Sequence, residues 1–132
     1  MKYKAKDGSI LCIVHKENDW NKGLDFLSDD EDFIQVGTWW YDNGKELDKH
    51  FHNEFERTAS RTQECVYVVS GKMKVDLYDF DSSYLESFEV EKGDIAIFTK
   101  GGHGYKILED NTKILETKNG PFHGVTKDKT RF

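Results

Sequence analysis

Proline, cysteine and long apolar runs are all scarce in this sequence. It holds one proline and two cysteines in 132 residues. Cys12 and Cys65 form neither a disulfide framework nor the spacing of a metal site, so we expect a reducing compartment. Lys2, Lys4 and Lys6 interrupt the start of the chain, where a signal peptide would be apolar, and no run approaches the roughly 20 apolar residues of a membrane helix. These absences predict a cytoplasmic protein with no membrane partner.

An excess of basic residues is also missing. The chain carries 19 lysines and arginines against 25 acidic residues, which gives a formal net charge of −6, and the two signs are interspersed. Nucleic acids and anionic membrane surfaces attract basic surfaces, so neither is expected as a partner. A small-molecule substrate is expected instead, and an anionic one would need a local basic patch.

Short apolar runs separated by turn residues dominate what is present. Their spacing predicts one all-β domain over residues 1–132, built as a small β-barrel or a double-sheet jelly roll. Residues 19–27 are expected to form a short helix or loop, and the tail from Lys118 is expected to be irregular. Strands are expected at residues 10–15, 33–41, 85–90, 95–99, 105–108 and 113–117, with further strands around His50 and His52 and on both sides of a turn at Gly71-Lys72.

Two histidines one residue apart form the strongest candidate site. In an extended strand His50 and His52 project to the same face, with Phe51 turned away. Glu64, at the start of the next strand, supplies a carboxylate, and His103 in the glycine-rich stretch GGHG supplies a third imidazole. Such nitrogen and oxygen ligands bind one divalent transition-metal ion, and Fe, Mn, Ni, Co and Zn all suit the set.

A hairpin at Asn43-Gly44 would place further residues around this metal. Asn-Gly is a strong signal for a two-residue turn, and the register would set Gly37 opposite His50. Aromatic side chains from the preceding strand would then line the cavity, either as core filling or as a wall for a ring or sugar face. The residues assigned to the substrate pocket in this way are Gln35, Trp39 and Tyr41.

The other face of that hairpin is apolar, with Val36, Trp40, Leu47 and Phe51. Such a face needs a cover, either the amino-terminal strand or a second copy of the chain, and we expect the second copy, in a homodimer. Residues 53–63 are polar and are expected to form a mobile loop or lid beside the site. Its Arg57 and Arg61 are either solvated or grip a carboxylate or phosphate of the substrate. Tyr105, close to His103, completes the expected pocket.

A second expected hairpin, turning at Gly71-Lys72, sets the direction of Glu64. It would pair Val66 and Val68 with apolar residues of the next strand, on the same face as Glu64. The carboxylate and the apolar set should therefore point inward together. Cys65 falls on the opposite face, so no nucleophilic role is expected for its thiol.

These residues resemble the motifs of the cupin superfamily. The first motif is matched by Gly44, His50, His52, Glu64 and Gly71, and the second by Gly93 and His103. Eleven residues separate His52 from Glu64, whereas Glu56 stands at the shorter spacing usual in the family, so the choice of carboxylate is open between the two. Glu64 is preferred because it keeps the six-residue step to Gly71.

The resemblance implies a metal-dependent enzyme acting on a small oxygenated metabolite. An isomerase, epimerase or lyase working through an enolate and a dioxygenase are both compatible with such a centre. Small cupins of this type also include enzymes of nucleotide-sugar and surface-polysaccharide metabolism. In some of those a histidine acts as acid or base without metal, a role open to His50 or His103. The alternative is a metal-assisted binding or sensing module without turnover.

Overall fold

The computed structural model describes all residues from Met1 to Phe132 and contains ten β-strands. Two short helical turns accompany them, a 3-10 turn at Glu17–Asp19 and the helix α1 at Val125–Asp128. Neither helix has the length and apolar character needed to cross a bilayer. The strands are β1 Lys2–Lys4, β2 Ile10–His15, β3 Gly23–Phe26, β4 Gly37–Trp40, β5 Glu64–Ser70, β6 Lys72–Tyr78, β7 Tyr84–Glu91, β8 Ile95–Phe98, β9 Gly102–Ile107 and β10 Lys113–Lys118.

The strands form three antiparallel sheets, which confirms the all-β class. One sheet has five strands in the order β1-β2-β8-β5-β10, one has three in the order β7-β6-β9, and one contains only β3 and β4. None of the sheets closes on itself, so the barrel that was one of the two expected architectures does not form.

The main core lies between the five-stranded and the three-stranded sheet. Ten buried apolar side chains form it, and alternation along the strands explains their choice, since every second residue of β5 and β6 points into the same space. Members of this core are Cys12, Val14, Val66, Val68, Met73, Val75, Leu77, Val90, Ala96 and Phe98.

A smaller apolar layer covers the opposite face of the five-stranded sheet. Ile13, Cys65, Ile95 and Ile97 are buried there, beneath side chains contributed by residues 20–36. Cys65 therefore points away from the main core, as alternation predicted, and burial raises the pKa of its thiol to about 11. A thiol protonated at neutral pH is a weak nucleophile.

The hairpin at Asn43-Gly44 is not formed, and this prediction is wrong. The strand β4 pairs with β3, in which Leu24 faces Trp39, so residues 23–26 are a strand and not the expected helix or loop. No strand occurs between Trp40 and Glu64, and every residue from 41 to 61 is exposed. Residues 45–63 are rich in charged and polar side chains and poor in strand formers, which outweighs the local preference of an Asn-Gly turn.

The expected pairing of β5 with β6 across Gly71 is also wrong, although the apolar side chains of both strands are buried as expected. Gly71, at a φ of 79°, carries the chain from the five-stranded sheet into the three-stranded one. Val66 and Val75 consequently lie in facing sheets and meet across the core instead of pairing side by side. The GGHG stretch also differs from the expectation. The strand was expected to begin at Tyr105, whereas it begins within GGHG and runs over Gly102–Ile107.

Candidate functional site

A cavity of about 1400 Å³ opens at one end of the two larger sheets. Its floor combines the first residue of β5, the last residue of β8 and the first half of β9, and its outer wall is the carboxyl-terminal tail after β10. Glu64, Phe98, His103 and Tyr105 contribute the side chains at its base.

The centre of this site is the carboxylate of Glu64, which is only 4% exposed. Its Oε1 accepts a hydrogen bond from His103 Nε2 at 2.9 Å and another from the Tyr105 hydroxyl at 2.6 Å. The Nζ atom of Lys118 lies 3.2 Å from Oε2. Three donors therefore surround one buried acceptor, which is the arrangement that makes a buried charge tolerable.

Strand alternation and pairing bring these four residues together. His103 and Tyr105 are two residues apart in β9, so both side chains leave the same face. Lys118 pairs directly with Glu64 across β10 and β5, and paired residues also share a face. The inward direction predicted for Glu64 is confirmed.

The contacts around Glu64 shift the pKa values of Glu64, Tyr105 and Lys118. Burial by itself would raise the pKa of Glu64, but the hydrogen bonds from His103 and Tyr105 and the charges of His103 and Lys118 lower it to about 2. The pKa of Tyr105 is raised, first by burial and then by its bond to the Glu64 carboxylate. The pKa of Lys118 is raised as well, chiefly by Glu116 and then by Glu64. At neutral pH the site therefore holds a carboxylate, a phenol and an ammonium group.

His103 has one ring nitrogen without a partner. Its Nε2 is bonded to Glu64, whereas Nδ1 is buried and makes no hydrogen bond. The imidazole lies against Phe98, with ring centroids 4.4 Å apart, and beside Tyr105 at 5.2 Å. A buried polar atom that lacks a partner is uncommon and often marks a functional position.

Of the four predicted metal ligands, the structure brings together only Glu64 and His103. His50 and His52 are adjacent to one another, with ring centroids 5.1 Å apart, but both lie in the exposed stretch 41–61, where His50 Nδ1 contacts the carbonyl of Asp48 at 3.0 Å. No group of three or more histidine, cysteine, aspartate or glutamate residues is placed to hold a metal ion. The residues as they are arranged thus do not fit the expected four-ligand centre. Glu56, the alternative carboxylate, is exposed in the same stretch.

The predicted pocket residues divide in the same way. Arg61 and Tyr105 line the cavity. Gln35 instead donates from its side-chain amide to carbonyl oxygens of the loop at residues 29–32, and Trp39 is exposed on the sheet of β3 and β4. Tyr41 is exposed beyond β4, and the guanidinium of Arg57 stacks on Phe55. Gln35, Trp39 and Tyr41 were assigned through the Asn43-Gly44 register, and they are displaced because that hairpin is absent. Arg57 was assigned through the expected lid at residues 53–63 and does not line the cavity.

Sequence reasoning missed Lys118 and Gln63. Lys118 follows the predicted strand by one residue, and its opposition to Glu64 depends on a pairing that the sequence does not reveal. Gln63 is almost fully buried, and its side-chain carbonyl accepts hydrogen bonds from the backbone of Phe33 and Ile34. Its side-chain amide donates to Asp32 and to the carbonyl of Thr99. Gln63 thereby holds residues 32–34 and Thr99 next to Glu64.

Comparison with known proteins identifies no relative. No protein-family model, no curated protein and no solved structure matches the chain. Membership of the cupin superfamily accordingly stays a prediction, and the function must be argued from the chemistry of the site.

Proposed function

We propose that this chain is an enzyme that moves a proton on a small oxygenated metabolite, with Glu64 and His103 as its acid-base pair, on a cupin-like jelly roll of two facing sheets. The observation that carries the proposal is the double hydrogen bond at Glu64 Oε1, received from His103 Nε2 at 2.9 Å and from Tyr105 at 2.6 Å. This pair lies at the base of a cavity large enough for a metabolite.

The hydrogen bond to Glu64 assigns the proton of the imidazole. A carboxylate with a pKa of about 2 is ionised at neutral pH and can only accept, so Nε2 of His103 carries the proton. In the neutral imidazole the lone pair is then on Nδ1, the atom that has no partner in the protein. A general base needs such a nitrogen, held in one tautomer by an orienting carboxylate.

The reaction that suits this pair is proton transfer at a carbon next to a carbonyl group. Nδ1 of His103 is buried, so the imidazole must first move to expose it to the substrate. Nδ1 then takes the proton, and the electron pair of the broken carbon–hydrogen bond moves to the carbonyl oxygen to form an enolate. Glu64 stabilises the imidazolium while it exists. His103 then returns the proton to carbon. Return to the opposite face of the same atom, after the enolate has turned, epimerises it. Return to the neighbouring carbon, while the hydroxyl proton there passes to the enolate oxygen, isomerises the compound.

Deuterium exchange tests this activity without knowledge of the product. Incubation of the protein in D₂O with a panel of keto sugars and related oxygenated metabolites should exchange deuterium into a substrate carbon, as read by mass spectrometry. The variants Glu64→Gln and His103→Asn should lower the exchange rate by about 100-fold to 10,000-fold, the range expected when an acid-base group is lost.

Glu56→Gln is the matched control, because Glu56 is exposed and does not line the cavity. Its exchange rate should equal that of the unmodified protein. Equal losses in the Glu56 and Glu64 variants would refute the assignment, and binding of a panel member without exchange or product would favour a binding module.

A metal centre is the second candidate, and the adjacency of His50 and His52 favours it. Two imidazoles with ring centroids 5.1 Å apart would supply two of the ligands of a transition-metal site. Completing it with Glu64 and His103 requires residues 41–61 to take another position. Elemental analysis of protein purified without chelator should then find about one Fe, Mn, Ni, Co or Zn ion per chain. In that case His50→Ala should remove the metal, whereas the acid-base proposal expects exchange to survive EDTA.

A further inference from the structure

We infer that the substrate of this cavity carries a phosphate or diphosphate group, and that the carboxyl-terminal tail provides the cations that bind it. The inference rests on the proposed function for the position of the reacting end, beside Glu64 and His103. The charged end would lie at the opposite wall, which contains Lys127, Lys129 and Arg131.

The size of the cavity agrees with a ligand of two parts. Pockets for small molecules usually measure about 300 to 1,000 Å³, and this cavity measures about 1400 Å³. Glu64 and His103 occupy only its base, so a reacting group bound there leaves the space along the tail for a second, extended group.

All four carboxylates in the wall of the cavity are already engaged. Glu64 accepts from His103 and Tyr105, and Glu116 pairs with Lys118 at 2.8 Å. Asp79 accepts from the backbone amides of Lys6 and Phe80, at 3.2 and 2.8 Å, and Asp128 is bonded to the hydroxyl of Thr62. None of them forms an ion pair with the cations of the tail, although Asp79 and Asp128, whose partners are neutral donors, keep their negative charge.

The cations of the cavity, in contrast, are unpaired. Lys100, Lys127, Lys129 and Arg131 all line it, and none lies within ion-pair distance of a carboxylate. In the five-stranded and three-stranded sheets most lysines form an ion pair with a carboxylate, as Lys72 does with Glu89 and Glu91. A group of unpaired cations on a chain of net charge −6 is the local basic patch that an anionic substrate requires.

Tertiary contacts hold the tail against the cavity. Asn119 accepts from the backbone amide of Gln63 and donates to the carbonyl of Arg61. At the far end the ring of Phe132 packs edge-on against Tyr78, with centroids 5.2 Å apart. Because both ends of the tail are anchored beside the cavity, the three cations between them are kept at its wall. Three cations in five residues suit a multiply charged phosphoryl group better than a single carboxylate.

Binding of inorganic pyrophosphate measured by isothermal titration calorimetry tests this inference directly. The unmodified protein should bind pyrophosphate with an affinity that falls as salt is added. The triple variant Lys127→Ala, Lys129→Ala and Arg131→Ala should raise the Kd for pyrophosphate by about tenfold or more. Lys100→Gln should also raise the Kd, and it leaves the tail intact should the triple variant fold poorly.

A second triple variant provides the control for net charge. Lys4→Ala, Lys45→Ala and Lys92→Ala remove the same charge from exposed positions outside the cavity, and the Kd should change little. No binding of pyrophosphate, an equal rise of the Kd in both triple variants, or tighter binding of citrate than of pyrophosphate would each overturn the inference. Glu64→Gln should still bind pyrophosphate, so a failure of the acid-base proposal is distinguishable from a failure of this one.

Discussion

Glu64 is a buried carboxylate that its neighbours keep ionised. Burial opposes the charge, and the donors His103, Tyr105 and Lys118 overcome that opposition. Since the pKa of Glu64 in the folded protein, about 2, lies below its ordinary value of 4.5, ionisation of this residue favours the folded state. The site thus contributes to stability, which can be measured separately from the proposed chemistry.

We expect Glu64→Gln to destabilise the protein at pH 7 and to make little difference near pH 2. The stability contributed by a depressed pKa is fully present above the unfolded value and is lost as the pH falls through the folded value. At pH 7 the loss should be roughly 2 kcal/mol. Urea unfolding of both proteins between pH 2 and pH 7 measures the difference.

The matched change is Glu116→Gln, at a half-exposed carboxylate that also contacts Lys118. Glu116→Gln should lower the free energy of unfolding by less than about 1 kcal/mol, as the loss of a surface ion pair does. A stability difference for Glu64→Gln that stays constant down to pH 2 would show that Glu64 acts through shape and not through its charge.

The connection between β5 and β6 is the element that creates the two-sheet core. Gly71 makes it possible for two reasons, a φ of 79° and a close approach to Thr112, whose Cα would lie 2.7 Å from a Cβ at position 71. Only a residue without a side chain satisfies both conditions. This single position therefore turns a sequence that reads as a hairpin into a crossing between sheets.

Gly71→Ala should destabilise the protein by roughly 3 kcal/mol, because positive-φ strain adds to a clash with backbone. Gly44→Ala is the control, since Gly44 has a φ of 88° but nothing within 4 Å of the added Cβ. Gly44→Ala should lower the free energy of unfolding by only about 1 kcal/mol. Thermal or urea unfolding compares them, and equal losses would contradict the role given to Thr112.

At the scale of the whole molecule, residues 59–61 line the cavity, whereas residues 41–58 stand apart from the two-sheet body. Every one of them is exposed, and Phe51 is 87% exposed. The lid expected at residues 53–63 falls largely within this stretch and stays a prediction. The end of the expected lid differs from this stretch, because Gln63 is buried and its side chain is bonded to residues 32–34 and to Thr99. Any movement of the lid must therefore stop before Gln63.

Limited trypsin digestion should cleave first after Lys45, Lys49 or Arg57. Cleavage requires an accessible, extendable backbone, which this stretch offers and the strands do not. Lys74 and Lys106, in paired strands of the three-stranded sheet, serve as internal controls and should remain uncut at that stage. Mass spectrometry identifies the first fragments, and initial cuts at Lys74 or Lys106 would contradict the structure.

The apolar hairpin face that prompted the homodimer prediction, Val36, Trp40, Leu47 and Phe51, does not exist, because the Asn43-Gly44 hairpin is absent; the sheet of β3 and β4 presents a different apolar face. Val36 packs onto the five-stranded sheet, whereas Leu24, Phe26 and Trp39 are exposed on the sheet of β3 and β4. A second copy covering this face would remove it from water. Light scattering should give about twice the chain mass of 15.4 kDa. Trp39→Glu should lower that mass, while Tyr84→Glu, at an exposed aromatic on β7, should leave it unchanged.

By itself the sequence determined most of the strands, though not β1 or β3, and the faces of most side chains in them. The inward direction of Glu64 and the outward direction of Cys65 follow from alternation, which depends only on neighbours along the chain. The tertiary structure alone decided which strands pair, because β5 finds β8 and β10 far along the sequence instead of β6 beside it. Those distant pairings bring His103, Tyr105 and Lys118 to Glu64 and leave His50 and His52 outside. Local patterns cannot encode that choice, since it is made by the burial of many apolar residues at once.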